Sequence, residues 1–232
     1  MVSNIVRLGE FGASVFTAAP EITNNDEFVC ALGAFEGASL LKVDRDSEIV
    51  WSLRWEHNAV DWLKIQDIEV NRSGDIFLAG IVYGPGPAKF DPNGPSYTIE
   101  ELRAGAFVIK LSSNGEILWV NWYSHGSRND LFSRELCVWD NQIYVLGTFT
   151  NNISIEIDGI IQNINSPVDE DGDSKPAFYF LELDDAGNFI DIIYGTREST
   201  GDALCKDSEG NIYIGGSFSG GAYILNISNA EW

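Results

Sequence analysis

The stretch Gly210–Phe218, GNIYIGGSF, occurs in four versions along this 232-residue chain. Aligned on a shared glycine, Glu27–Phe35 reads EFVCALGAF, Gly74–Val82 reads GDIFLAGIV and Asn141–Phe149 reads NQIYVLGTF. The glycines, Gly33, Gly80, Gly147 and Gly216, lie 47, 67 and 69 residues apart. A repeat of that period means one small supersecondary unit stacked on copies of itself. A glycine inside such a strand marks close backbone packing, read here as neighbouring sheets approaching one another.

Each copy extends outward into four short strands. In the second, Ile65–Asn71, Asp75–Tyr83, Gly105–Leu111 and Glu116–Tyr123 are separated by turn signals, with Ser113-Asn114-Gly115 as the hairpin between the last two. The third strand recurs as GASLLKV (Gly37–Val43), GAFVIKL, AFYFLEL (Ala177–Leu183) and GAYILNI (Gly221–Ile227). Fourth strands are EIVWSLRW (Glu48–Trp55), EILWVNWY and NFIDIIYG (Asn188–Gly195). The last copy reaches Glu231-Trp232 without one, whereas Asn4–Gly12, NIVRLGEFG, precedes the first copy's opening strand at Ala13–Ala18. The expectation is an all-β fold, a β-propeller of four-stranded blades, four in this chain, with the N-terminal strand completing the last blade. It forms one domain over residues 1–232, with blade units at 13–55, 65–123, 133–195 and 201–232 plus 4–12. Closure of this kind removes unpaired sheet edges. An eight-bladed ring of two chains, a longer polypeptide and a two-sheet sandwich stay open as alternatives.

The excess of 35 acidic over 14 basic side chains gives a formal charge of −21. That excludes a basic face for nucleic acid and docking on an anionic membrane. A basic partner, a divalent cation, a high-salt habitat or plain solubility would each suit it. Every apolar stretch is broken too soon for a membrane-spanning helix, and MVSNIVRLGEFGASVF lacks a signal-peptide core. A cytoplasmic or particle-associated location is therefore expected over a secreted one. Cys30, Cys137 and Cys205 each fall in an apolar strand pattern and read as free buried thiols, the last two as copies of one packing site.

The GNIYIGGSF stretch, the run GAFVIKLSSNGEILW and the insert FDPNGPSYTIEEL (Phe90–Leu102) resemble the bacterial SBBP-type β-propeller repeats. The resemblance spans nearly the whole chain, most strongly in the second and fourth copies. It implies a propeller and no catalytic motif. The third copy departs from it, with SIEIDG (Ser154–Gly159) in place of the FDP-like loop and Asp191 where Trp51 and Trp119 stand.

Extra length lies between the second and third strands of copies two and three, at Gly84–Ala104 and Asn151–Pro176. Loops on a rigid scaffold are where binding is placed. The acidic run Asp169-Glu170-Asp171-Gly172-Asp173 offers alternating oxygens with a turn glycine, so calcium is the one cofactor the sequence leaves open. It lacks the EF-hand glutamate, and a solvated acidic loop is the competing reading. Trp51 and Trp119 recur in register, as packing residues do. Trp62, in the connection after the first unit, together with Tyr83, Asp91 and Tyr97, is the candidate binding surface. His57 and His125 follow fourth strands but have no local nucleophile or orienting acid. The expected function is a non-catalytic interaction or structural module that presents the two inserts to a protein partner. It could serve as a subunit of a larger assembly such as a virus particle. The alternative is carbohydrate recognition, as a lectin or glycan-processing enzyme.

Overall fold

A computed structural model of the chain describes residues 15–16, 21–23, 25–34, 37–56, 62–83, 88–91, 97–99, 104–125, 131–157 and 159–227. Among them there are antiparallel sheets and no helix. Sheet I holds Val15–Phe16 (β1), Glu21–Ile22 (β2), Phe28–Ala34 (β3), Gly37–Val43 (β4) and Ile49–Glu56 (β5), with β1 and β2 both paired to β3. Sheet II is built on Trp62–Val70 (β6) and Ile76–Tyr83 (β7). The first insert follows as a two-stranded ribbon, Ala88–Lys89 (β8) and Thr98–Ile99 (β9). Ala104–Leu111 (β10) and Ile117–His125 (β11) complete the four-stranded part of sheet II. Sheet III is Leu131–Trp139 (β12), Gln142–Phe149 (β13), and then, after Asn152–Ile157 (β14) and Ile160–Asn165 (β15) of the second insert, Ala177–Asp184 (β16) and Phe189–Tyr194 (β17). Ser199–Lys206 (β18), Ile212–Phe218 (β19) and Gly221–Asn226 (β20) form sheet IV. Strands expected from the repeat thus stand within one to three residues of their observed bounds. Residues 4–12, proposed as the closing strand, lie outside the described residues, and the opening strand of sheet I is in two pieces.

Successive sheets pack face to face. Val29, Ala31, Leu40 and Trp55 of sheet I meet Ile65, Leu78 and Phe107 of sheet II. The next layer sets Phe77, Ala79 and Val108 against Val145, Tyr179 and Leu181. Leu146, Phe178 and Phe180 then meet Ile212 and Ile214. Side chains alternate across a strand, so a sheet covered on both faces needs apolar residues at every position. Ile76–Tyr83 is such a run, buried throughout.

The repeated glycine has a different cause from the one expected. A Cβ on Gly80 would lie 2.3 Å from the Lys64 carbonyl and 2.4 Å from the Phe107 ring, both in its own sheet. The first strand bulges opposite it. Gln66, Arg134 and Asp202, each 68 residues from the next, are the bulge residues of sheets II, III and IV. The bulge pushes a carbonyl over the glycine, and a third-strand aromatic covers the rest.

A second repeated device joins neighbouring sheets. Trp51 lies on Gly115 and donates its indole N–H to the Ser113 carbonyl at 3.1 Å; Trp119 lies on Gly187 and donates to Asp185 O at 3.0 Å. Lys42, buried, pairs with Glu27 at 2.7 Å and reaches the same Ser113 carbonyl. Lys110 pairs with Asp75 at 3.3 Å and with Asp185 at 2.6 Å. Sheet III carries Glu182 and Asp191 at the lysine and tryptophan positions, so its junction with sheet IV lacks this pair, and Trp139 of β12 lies on Gly210 of the β18–β19 turn in its place. There Lys206 instead donates to Val138 O at 2.6 Å.

Cys30 and Cys137 are buried and Cys205 is exposed, which corrects the expectation of three buried thiols. Cys137 faces Ile212 and Ile214 of sheet IV. Its repeat equivalent, Cys205, faces away from sheet III.

Candidate functional site

The two inserts are not free loops. Asn152–Ile157 and Ile160–Asn165 alternate apolar and polar residues around a tight turn with Gly159 at φ 75°, which is a hairpin pattern. The hairpin belongs in sequence to sheet III but adds to sheet II, pairing Ile153 with His125 and Ser154 with Ser124. Its far end diverges from β11. Val120–Trp122, Ser154–Glu156, Ile161 and the Asn188–Ile190 stretch of β17 enclose a groove of about 780 Å³.

The first insert docks one sheet earlier. Phe90 is fully buried against Phe107, and Trp55 donates its indole N–H to the Phe90 carbonyl at 2.7 Å. The Tyr97 hydroxyl donates to Leu118 O at 2.8 Å. Asp91 and Tyr97, with Trp51–Leu53 of β5 and the Asn114–Ile117 turn, line a second groove of about 520 Å³. The two grooves are repeat equivalents, each between an outer strand, an insert and the next sheet's hairpin turn.

Of the expected surface, Asp91 and Tyr97 therefore come together. Tyr83 does not join them. It is 7% exposed, in the core between sheets II and III. The aromatic run IFLAGIVY belongs to a strand covered on both faces, and that explains the error. Trp62 opens β6 opposite Tyr83 rather than lying in a connection; its side chain is outside the described residues. His57 is likewise outside them, and His125 ends β11.

Asp169, Asp171 and Asp173 form one of the chain's recurring hairpin turns. The Asp169 carboxylate accepts the N–H groups of Asp171 and Asp173 at 3.1 and 2.8 Å, with Gly172 at φ 85°. Asn71, Ser112 and Asp207 cap their turns in the same way. Lys175 sits 2.7 Å from the same carboxylate, and this contact with the turn N–H groups holds its pKa below the ordinary range. Asp171 and Asp173 are exposed. Among the described residues no group of three or more His, Cys, Asp or Glu side chains is placed to hold a metal ion.

One cluster escaped the sequence reading. The first strands of the sheets lie against one another, β2 on β6, β6 on β12 and β12 on β18. They carry Glu21, Asp67, Glu69, Glu135 and Lys206. Burial pushes Asp67 up to about 7 despite N–H bonds from Leu136, at 2.7 Å, and Ile68. Glu69 is pushed up to about 7 by burial, with Lys206 opposing and Glu21 and Asp67 adding to the rise. Glu135 is raised too, by burial against the pull of Arg134. The available signal was the alternation of Asp67 and Glu69 in IQDIEVN, two acids on one face of an otherwise apolar strand.

Tyr123, Ser133 and Tyr179 close a buried triangle of hydroxyls at 2.9, 3.0 and 3.1 Å. Burial pushes Tyr123 up to about 12. The triangle joins Tyr123 of sheet II to Ser133 and Tyr179 of sheet III in the core between the two sheets.

No family model matches the chain, and no curated protein does. Among solved structures, a crystal structure of a protein of unknown function from Bacteroides caccae is similar over 88% of this chain and 71% of that one. Its identity is 11% and its TM-score 0.43, values that carry no argument about fold or function. Among the described residues no helix is long and apolar enough to cross a membrane.

Proposed function

We propose that this chain is a non-catalytic β-propeller module that binds a protein partner through the grooves its two inserts build. The observation carrying this reading is the β14–β15 hairpin, which crosses from sheet III to pair with β11 and opens the larger groove. An insertion held by backbone pairing presents a fixed surface, and a fixed surface binds with less ordering cost than a loop. In this reading the four sheets are blades and residues 4–12 supply the fourth strand of sheet IV. Two observations favour closure. Lys206 of β18 lies near enough to Glu21 of β2 to pull its pKa down against burial. The face of sheet I turned away from sheet II, with Cys30, Leu32, Leu41 and Val43, is also buried. The SBBP-type resemblance supports the same architecture.

Replacing Asn151–Pro176 and Gly84–Ala104 with the short Ser219-Gly220 connection of the last repeat tests the function. The full chain recovered from its native source should migrate in a complex above its own 25.6 kDa, and the replaced chain alone. Retention of the complex by a folded replaced chain would refute the reading.

A second reading has its own support. Tyr97 and Asp91 share a groove, and Trp122, 38% exposed, stands beside Asn121 in the other. Aromatic faces beside carboxamides suit a sugar ring. A glycan array with no hit for the full chain would remove it.

A further inference from the structure

The larger groove has a wall of bare backbone. β11 pairs with β10 along Ile117–Ser124, but on its other side β14 meets it only at Ser124 and His125. The Tyr97 hydroxyl takes the Leu118 carbonyl. Between these two stops no described strand covers the edge, about 20 Å of it at about 3.3 Å per residue. Such an edge is a template for another strand, and folded proteins normally blunt it with lysine, proline or a bulge turned away.

Here the surroundings invite pairing instead. Trp122, Ile161 and Ile190 line the groove and are 38%, 65% and 44% exposed. Among the described residues its charged lining is Glu156 and Asp184, with no lysine or arginine, on a chain of net charge −21. Trp122 and Ile161 lie on one face, and these exposed apolar side chains with the acidic walls complement a strand that carries apolar residues on one side and basic residues on the other.

Resting on the interaction reading above, we infer that the partner enters as an extended peptide of alternating apolar and basic residues and adds a strand to β11. The backbone row supplies affinity, Trp122 and Ile161 receive the apolar side chains, and the charges of Glu156 and Asp184 attract the basic ones. A sugar would use the Trp122 face and leave the backbone row idle.

The test uses the full chain and a fluorescent octapeptide of alternating lysine and valine. Its companions are two versions N-methylated on the odd or the even amides, a glutamate–valine octapeptide and a hexasaccharide of β-linked N-acetylglucosamine. The lysine–valine peptide should bind, and one methylation register should weaken it about tenfold or more while the other does not. Trp122→Ala and Ile161→Ser should each raise Kd about tenfold, and Glu156→Gln about threefold, with Tm retained. Equal binding by both methylated registers, or unchanged binding by all three variants, would overturn the strand addition. So would a hexasaccharide complex, or a dimer of this chain, that Trp122→Ala abolishes. If no octapeptide binds while the insert-replaced chain still loses its native complex, this inference fails and the interaction reading stands. If the peptide binds as described and the complex survives insert replacement, the reverse holds.

Discussion

Trp119 shows how much a single side chain does here. Its ring fills the space over Gly187 and its N–H satisfies the Asp185 carbonyl, so one residue of sheet II both packs on and caps a turn of sheet III. Trp119→Ala removes the packing and the hydrogen bond together. The expected loss is about 3 kcal/mol in denaturant unfolding. Gly187→Ala should be costly for two reasons: φ is 88°, and the added Cβ would lie 2.9 Å from the indole. An Ala variant as stable as the parent would contradict the clamp. The inner-strand acids give a pH prediction. Asp67 and Glu69 have folded pKa values of about 7 against ordinary values of 3.8 and 4.5. Between those limits the folded state holds more protons than the unfolded state, so stability falls as pH rises through that window. Asp169, Asp184 and Asp207 are shifted the other way, and their contribution is lost only as pH falls below the ordinary carboxylate range. Tm should therefore be higher near pH 5 than near pH 7.5. Asp67→Asn with Glu69→Gln should flatten that slope. A Tm that climbs from pH 5 to 7.5 would refute the burial of these acids.

At the scale of elements, strand positions were legible and strand partners less so. GNIYIGGSF and its copies place the second strands because a doubly covered strand must be apolar throughout, and a turn residue with positive φ (Asp26, Gly74, Asn141 or Gly210) stands before each. The β14–β15 hairpin differs from the loop expected at Asn151–Pro176. Its alternating pattern was plain, but an insert full of Asn and Asp reads as a polar loop, and no local signal says that it pairs with β11 of the preceding unit. Tyr83 was misread for a related reason: an aromatic at the end of a strand looks the same whether the next sheet covers it or not. The acidic run at Asp169 has its first carboxylate capping a hairpin turn, a use the residue types share with a cation loop. The missing clamp between sheets III and IV was written in the sequence, at Glu182 and Asp191, before its consequence was visible. Sheet IV is expected to open first. Amide exchange in Ile212–Phe218 should be faster than in Ile76–Tyr83, and equal protection of the two would show that Lys206 and Trp139 compensate.

The whole molecule turns on how sheet IV ends. Ile224 is 79% exposed, on a sheet whose other face is buried against Phe178 and Phe180. A closed ring has to cover the edge of β20. In an antiparallel sheet alternate N–H groups point to opposite sides, so β19 accounts for only half of those in β20. Site-resolved hydrogen exchange of the full chain separates the possibilities directly. Closure by a further strand predicts that consecutive amides of Gly221–Asn226 are protected alike. An open last sheet predicts that every second amide exchanges at the rate of an unstructured peptide, and that result would contradict the ring.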